Sequence, residues 1–89
     1  MDTGTFETEL RATGYTEIET KRYEPKPANG EHAHHFDVRG LVLEGAFIVI
    51  ADGKPVTYRV GDTFAVANGR MHCEEIGPDG ARVLIGRRF

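Results

Sequence analysis

Between Gly40 and Val66 the chain reads GLVLEGAFIVIADGKPVTYRVGDTFAV. Apolar, β-branched and aromatic residues come in runs too short for helices, and polar turn residues separate them, the pattern of consecutive β-strands. Asp52-Gly53 stands between two such runs. A glycine after a short polar residue tolerates the positive φ angles of a type I′ turn, so this pair predicts a tight hairpin. Working outward in both directions predicts strands at Glu17–Tyr23, Glu31–Phe36, Gly40–Leu43, Ala46–Ile50, Pro55–Val60, Thr63–Val66, His72–Ile76 and Arg82–Arg87. Asn68-Gly69 and Pro78-Asp79-Gly80 read as further turns. Many short strands with short connections suit two facing sheets, and a jelly-roll-like barrel also limits exposed edges. A helical pattern occurs only at the start, with Thr5 as its expected cap, Phe6, Leu10 and Tyr15 on one face, and Gly14 as its stop. The expected class is all-β with a short N-terminal helix.

The 89 residues are 39% apolar and 28% charged, with a net charge of −3. A chain of this size buries only roughly 60% of its unfolded surface, which suits one domain over residues 1–89. Glycines and prolines act as punctuation rather than gathering into a linker. Lysines and arginines are scattered, which argues against a nucleic-acid footprint or a polybasic membrane patch. No apolar run reaches the roughly 18 residues of a membrane span, and the first residues lack the basic start and apolar stretch of a signal peptide. A single cysteine, Cys73, forms no internal disulfide, and a cytoplasmic location is the expectation.

Three of the four histidines are His32, His34 and His35, and the fourth is His72. On a strand, residues two apart share a face, so His32 and His34 would present two imidazoles to one point while His35 turns to a surface or an interface. A His-x-His pair by itself is also compatible with a half-exposed polar face. A metal site needs a third ligand from another strand, and His72 is the histidine available. Three imidazoles suit one divalent transition metal, with iron, manganese, nickel, zinc and copper not distinguished.

These segments resemble the cupins. The first cupin motif pairs His-x-His with a later glutamate and glycine, and here His32-Ala33-His34 precedes Leu43-Glu44-Gly45. The second motif is similar to the run from Gly61-Asp62-Thr63-Phe64 through Gly69 to His72. The resemblance covers Glu31–Ile76, with motif one at about 31–45 and motif two at about 61–76. It implies a cupin-type double-stranded β-helix, a jelly-roll barrel, with a metal held by His32, His34 and His72. Four positions depart from the pattern. Lys26 stands for a glycine, Ala67 for the motif proline and Ile76 for the asparagine, while Val38 or Arg39 occupies the place of the ligand glutamate. Asp37 lies one residue early, and a bulge could turn it inward as the fourth ligand; otherwise it is solvated or pairs with Arg39.

Glu74 follows His72 by two residues, so strand parity points it into the same cavity as a general base or a support for the metal ligands; the alternative is a solvated charge. Phe36, Phe47, Val49, Phe64, Met71, Val83 and Ile85 read as core or pocket wall, Cys73 as a small buried side chain, Glu44 as structural, and Arg87 and Arg88 as a solvated end. His35-Phe36-Asp37 with His72 and Arg82 also spells the facial triad and carboxylate-binding arginine of 2-oxoglutarate-dependent iron oxygenases, but the chain is short for that cosubstrate. Two functions follow from the cupin resemblance: a metal-dependent enzyme of dioxygenase or isomerase type acting on a small polar molecule, or a non-catalytic metal-stabilised binding or sensing module. Small cupins generally pair through their sheets, so a homodimer is expected.

Overall fold

The computed structural model describes residues 1–89. One helix, α1 (Thr3–Ala12), precedes five strands: β1 (Glu17–Tyr23), β2 (Asp37–Ala51), β3 (Lys54–Arg59), β4 (Thr63–Val66) and β5 (Cys73–Arg88). All strand pairings are antiparallel. The eight expected strands become five because two pairs merge and one segment stays irregular. Gly40–Leu43 and Ala46–Ile50 are halves of β2, and His72–Ile76 and Arg82–Arg87 lie along β5. Pro78-Asp79-Gly80 is therefore not a turn between strands but a bend within one.

That bend has a local cause. Along β2 the register against β5 shifts between Val42 and Glu44 and again between Gly45 and Phe47. Gly45 has φ +73°, and a Cβ added there would clash with the Gly80 carbonyl oxygen. Glycine at this crossing lets the two backbones meet and bend together while the pairing continues on either side. The first half of β2 pairs with Ala81–Arg88 of β5, and Phe47–Ile50 pairs with Cys73–Ile76. β1 and β4 flank the first half of this seam, and β3 flanks the second. The two halves turn their inner faces together: Phe47 stacks on Phe64 of β4 at 4.7 Å between centroids, and Tyr23 of β1 meets Phe47 edge-on at 5.4 Å. β1 and β3 remain at the ends of the strand order, so the barrel is not closed.

Alternation along the strands builds two cores. The inner one gathers Val38, Val42, Phe47, Phe64, Val66, Ile76, Ala81, Val83 and Ile85. On the opposite face, Leu41 and Leu84 meet Phe6, Leu10 and Tyr15, so α1 covers the outer side of the sheet. Asp2, not Thr5, caps this helix: its carboxylate accepts from the Thr5 backbone N–H at 2.8 Å and the Thr5 hydroxyl at 2.9 Å. An aspartate one turn earlier satisfies the free N–H groups that Thr5 was expected to serve. The Asp52-Gly53 hairpin forms as predicted, with φ values of 54° and 73°. Met71, expected in the core or pocket wall, is 49% exposed.

Glu31–Phe36 is not a regular strand. Lys26, Asn29 and His32 each make backbone contact with β5 or the residue before it, but only every third residue. That spacing ties a crossing segment down without building a ladder. The expected solvated end is also corrected. Arg88 donates from Nε and Nη2 to Asp37 Oδ2 at 3.0 and 2.8 Å and from Nη1 to the Thr13 carbonyl at 2.8 Å, which joins β5, β2 and the end of α1.

Phe47→Ala should lower stability by about 3–5 kcal/mol, because the transfer loss and the residual cavity both count; denaturant titration will show it as a lower midpoint. The Asn68 backbone N–H and the Arg88 guanidinium hold the Asp37 carboxyl below its ordinary 3.8. Its stabilising effect is complete above 3.8 and disappears as pH falls through the lower folded value. Asp37→Asn should therefore reduce the melting temperature at pH 7, and the gap from the parent should close in strong acid.

Candidate metal centre

His32 and His72 exchange backbone hydrogen bonds, each N–H donating to the other's carbonyl at 2.9 Å. The Gly69 N–H donates to the His34 carbonyl at 2.9 Å, so the turn before His72 fixes the next ligand position as well. Glu74 is anchored through both of its main-chain groups: its N–H donates to Asn29 Oδ1 at 2.8 Å and its carbonyl accepts from the Asn29 N–H at 3.1 Å. The crossing segment and the start of β5 thus bring four side chains to one place.

His32, His34, His72 and Glu74 offer four ligand atoms that all lie within 4.8 Å of one another. Glu74 Oε1 is 3.1 Å from His72 Nε2 and 3.9 Å from the Nε2 atoms of both His32 and His34. Ligands about 2.1 Å from one ion stand roughly 3–4 Å apart, so the group fits a transition metal after a small contraction. The hydrogen bonding also fits. His32 Nδ1 lies 2.9 Å from the Gly30 carbonyl and His72 Nδ1 lies 2.8 Å from the Arg70 carbonyl. A carbonyl can only accept, so each Nδ1 carries the proton and each Nε2 is left with its lone pair toward Glu74. Electron pairs face one another there with no donor between them, an arrangement that a cation or a captured proton relieves.

Burial grades the site. The His72 side chain is fully buried, while His32, His34 and Glu74 retain 32%, 30% and 19% exposure. Burial and the neighbouring His32 and His72 rings hold the His34 imidazole below its ordinary 6.5. Beside the group lies a cavity of about 230 Å³, lined by His34, His72 and Glu74, by Phe47, Phe64 and Ile85, and by the cations Lys21, Lys26 and Arg87. Tyr23 also faces it, and burial followed by the Glu74 charge pushes its phenol above 10.0.

The structure brings His32, His34, His72 and Glu74 together and places Asp37 elsewhere, engaged by Arg88 and by the Asn68 N–H rather than by Arg39. Arg39 approaches Glu9 instead. His35 is exposed, and Arg82 donates to Glu44 at 2.7 Å, so the rival oxygenase triad does not assemble. Cys73 is half-buried. Strand parity points Glu74 into the same cavity as a general base or a support for the metal ligands; the structure sets its Oε1 within 3.9 Å of all three Nε2 atoms. The lining roles of Lys21, Tyr23, Lys26 and Arg87 carried no local signal, although Lys21 and Tyr23 share a strand face and Arg87 follows Ile85 by two residues.

No protein-family model and no curated protein matches the chain. Solved structures do match. A Rhizobium leguminosarum protein of unknown function superposes with a TM-score of 0.72 at 25% identity, over 80% of this chain and 67% of its own. A cupin-2 domain protein from Shewanella frigidimarina gives 0.68 at 16% identity, over 81% of this chain and 69% of its own. A Thermotoga maritima protein described as a predicted oxalate decarboxylase gives 0.69 at 20% identity, over 92% of this chain and 73% of its own. The chain has the cupin fold, and its histidine–glutamate group lies beside the cavity of that fold. No helix is long and apolar enough to cross a membrane.

Because His34 titrates below 6.5 in the folded protein, the unfolded chain takes up its proton first as pH falls. Metal-free protein should therefore lose stability between pH 6.5 and the lower folded value. Denaturant midpoints measured across that interval should flatten in His34→Gln.

Proposed function

We propose that this cupin-fold chain binds one divalent transition metal through His32, His34, His72 and Glu74 and acts as a metal-dependent enzyme of dioxygenase or isomerase type on a small polar molecule. The observation that carries this reading is the convergence of the Nε2 lone pairs of His32 and His72 on the Glu74 carboxylate, with their Nδ1 protons tied to backbone carbonyls. Three imidazoles and one carboxylate suit iron, manganese, nickel, zinc or copper. A metal held there supplies Lewis acidity, or redox chemistry where the ion allows it.

The chain's own groups divide the remaining work. Gly30 and Arg70 orient the imidazoles through their carbonyls. Phe47, Phe64 and Ile85 give the cavity an apolar wall that excludes water from one side of a bound molecule. Glu74 serves here as the fourth ligand, because its Oε1 faces all three Nε2 atoms. The Tyr23 hydroxyl stays protonated at neutral pH and is the neutral proton donor on the cavity wall.

A second reading rests on the same ligand count. Four protein ligands saturate a tetrahedral ion, which suits a metal-stabilised binding or sensing module, whereas they leave two positions open on an octahedral one. The co-purifying metal separates the two readings: iron or manganese supports turnover and zinc supports binding alone.

His34→Ala should abolish stoichiometric metal in untagged protein by elemental analysis while the circular dichroism spectrum is retained. Metal content equal to that of the parent would remove His34 from the site.

A further inference from the structure

The charge around the cavity is opposite to that of the chain. The chain carries a net charge of −3, yet the lining holds three cations, Lys21, Lys26 and Arg87, against one carboxylate, Glu74. That carboxylate already faces three imidazoles. Arg87 lies 4.0 Å from Glu17 and 3.9 Å from Glu19, so its charge is partly answered. Neither lysine takes part in a salt bridge. Both are exposed, which puts them where the cavity meets solvent, and the Lys21 ammonium lies 5.2 Å from the Tyr23 ring centroid. The wall behind them is apolar, formed by Phe36, Val38, Phe47, Phe64, Val66 and Ile85. Cations set against a low-dielectric wall focus a positive field into the cleft and draw anions to it.

We propose that the cavity selects a small carboxylate with an apolar body, its anionic end held by Lys21 and Lys26 and its body against Phe47 and Phe64. The cavity of about 230 Å³ suits a short aliphatic or single-ring acid. No residue of α1 lines the cavity, so the backbone N–H cradle at a helix N-terminus that commonly receives phosphate does not open onto it. This assignment rests on the proposed function in taking the same cavity as the substrate site, but the lysine field exists without a metal.

The test is calorimetric titration of benzoate and its neutral isostere benzamide into metal-free and zinc-loaded protein, in a buffer without carboxylate or phosphate. The expected result is a preference for benzoate of about tenfold already in the metal-free protein, the size of one charge-assisted contact. In Lys21→Met/Lys26→Met that preference should disappear, with zinc stoichiometry unchanged. Equal affinities for the two probes, binding of neither, or a benzoate preference that survives in the double variant would overturn the assignment. Zinc stoichiometry, measured before either probe is added, reports separately on the metal-binding reading.

Discussion

The reciprocal backbone pair between His32 and His72 is the contact on which the rest of the site depends. Hydrogen bonds of this kind add only about 0.5–1.5 kcal/mol each. Their larger effect is geometric, because the crossing segment is attached to β5 at few points and this one carries two of the four ligand residues. With His32 and His72 opposed, His34 and Glu74 are each two residues away on the same sides, so one pairing sets the whole group. The Asn29–Glu74 contacts reinforce the same register.

The group is in tension with itself in a useful way. Buried polar atoms in a stable core have partners of opposite hydrogen-bonding sense. Around Glu74 the fixed tautomers of His32 and His72 leave acceptors facing an acceptor, a local cost the fold carries unless a cation occupies the space between them. The adjoining cavity wall is apolar, and its lining also holds the cations Lys21, Lys26 and Arg87.

Sequence reading succeeded where the deciding interaction was local. Period-two spacing puts His72 and Glu74 on one face where β5 begins, and the Asp52-Gly53 hairpin follows from the φ preference of two adjacent residues. It failed where the deciding contact was distant. Nothing near Gly45 announces that its missing Cβ makes room for the Gly80 carbonyl, so two bent strands looked like four straight ones. Local sequence offers Asp37 as a fourth ligand turned in by a bulge, as a solvated residue or as a partner of Arg39, whereas the side chain that holds it, Arg88, arrives from the far end of β5. The helix cap moved for the reverse reason: Asp2 is close by and outcompetes Thr5.

The strand order has a consequence for how the molecule is made. β5 lies between β1 and β2 in space but follows both in the chain, and it also contributes Glu74. A ribosome therefore delivers β1, the crossing histidines and the β2–β3 hairpin before the strand that joins them exists. Until β5 emerges, β1 has no partner and Glu74 is missing from the histidine–glutamate group, so the nascent chain carries unpaired edges up to that point. Closure of this sheet therefore waits for β5, the strand that joins β1 to β2.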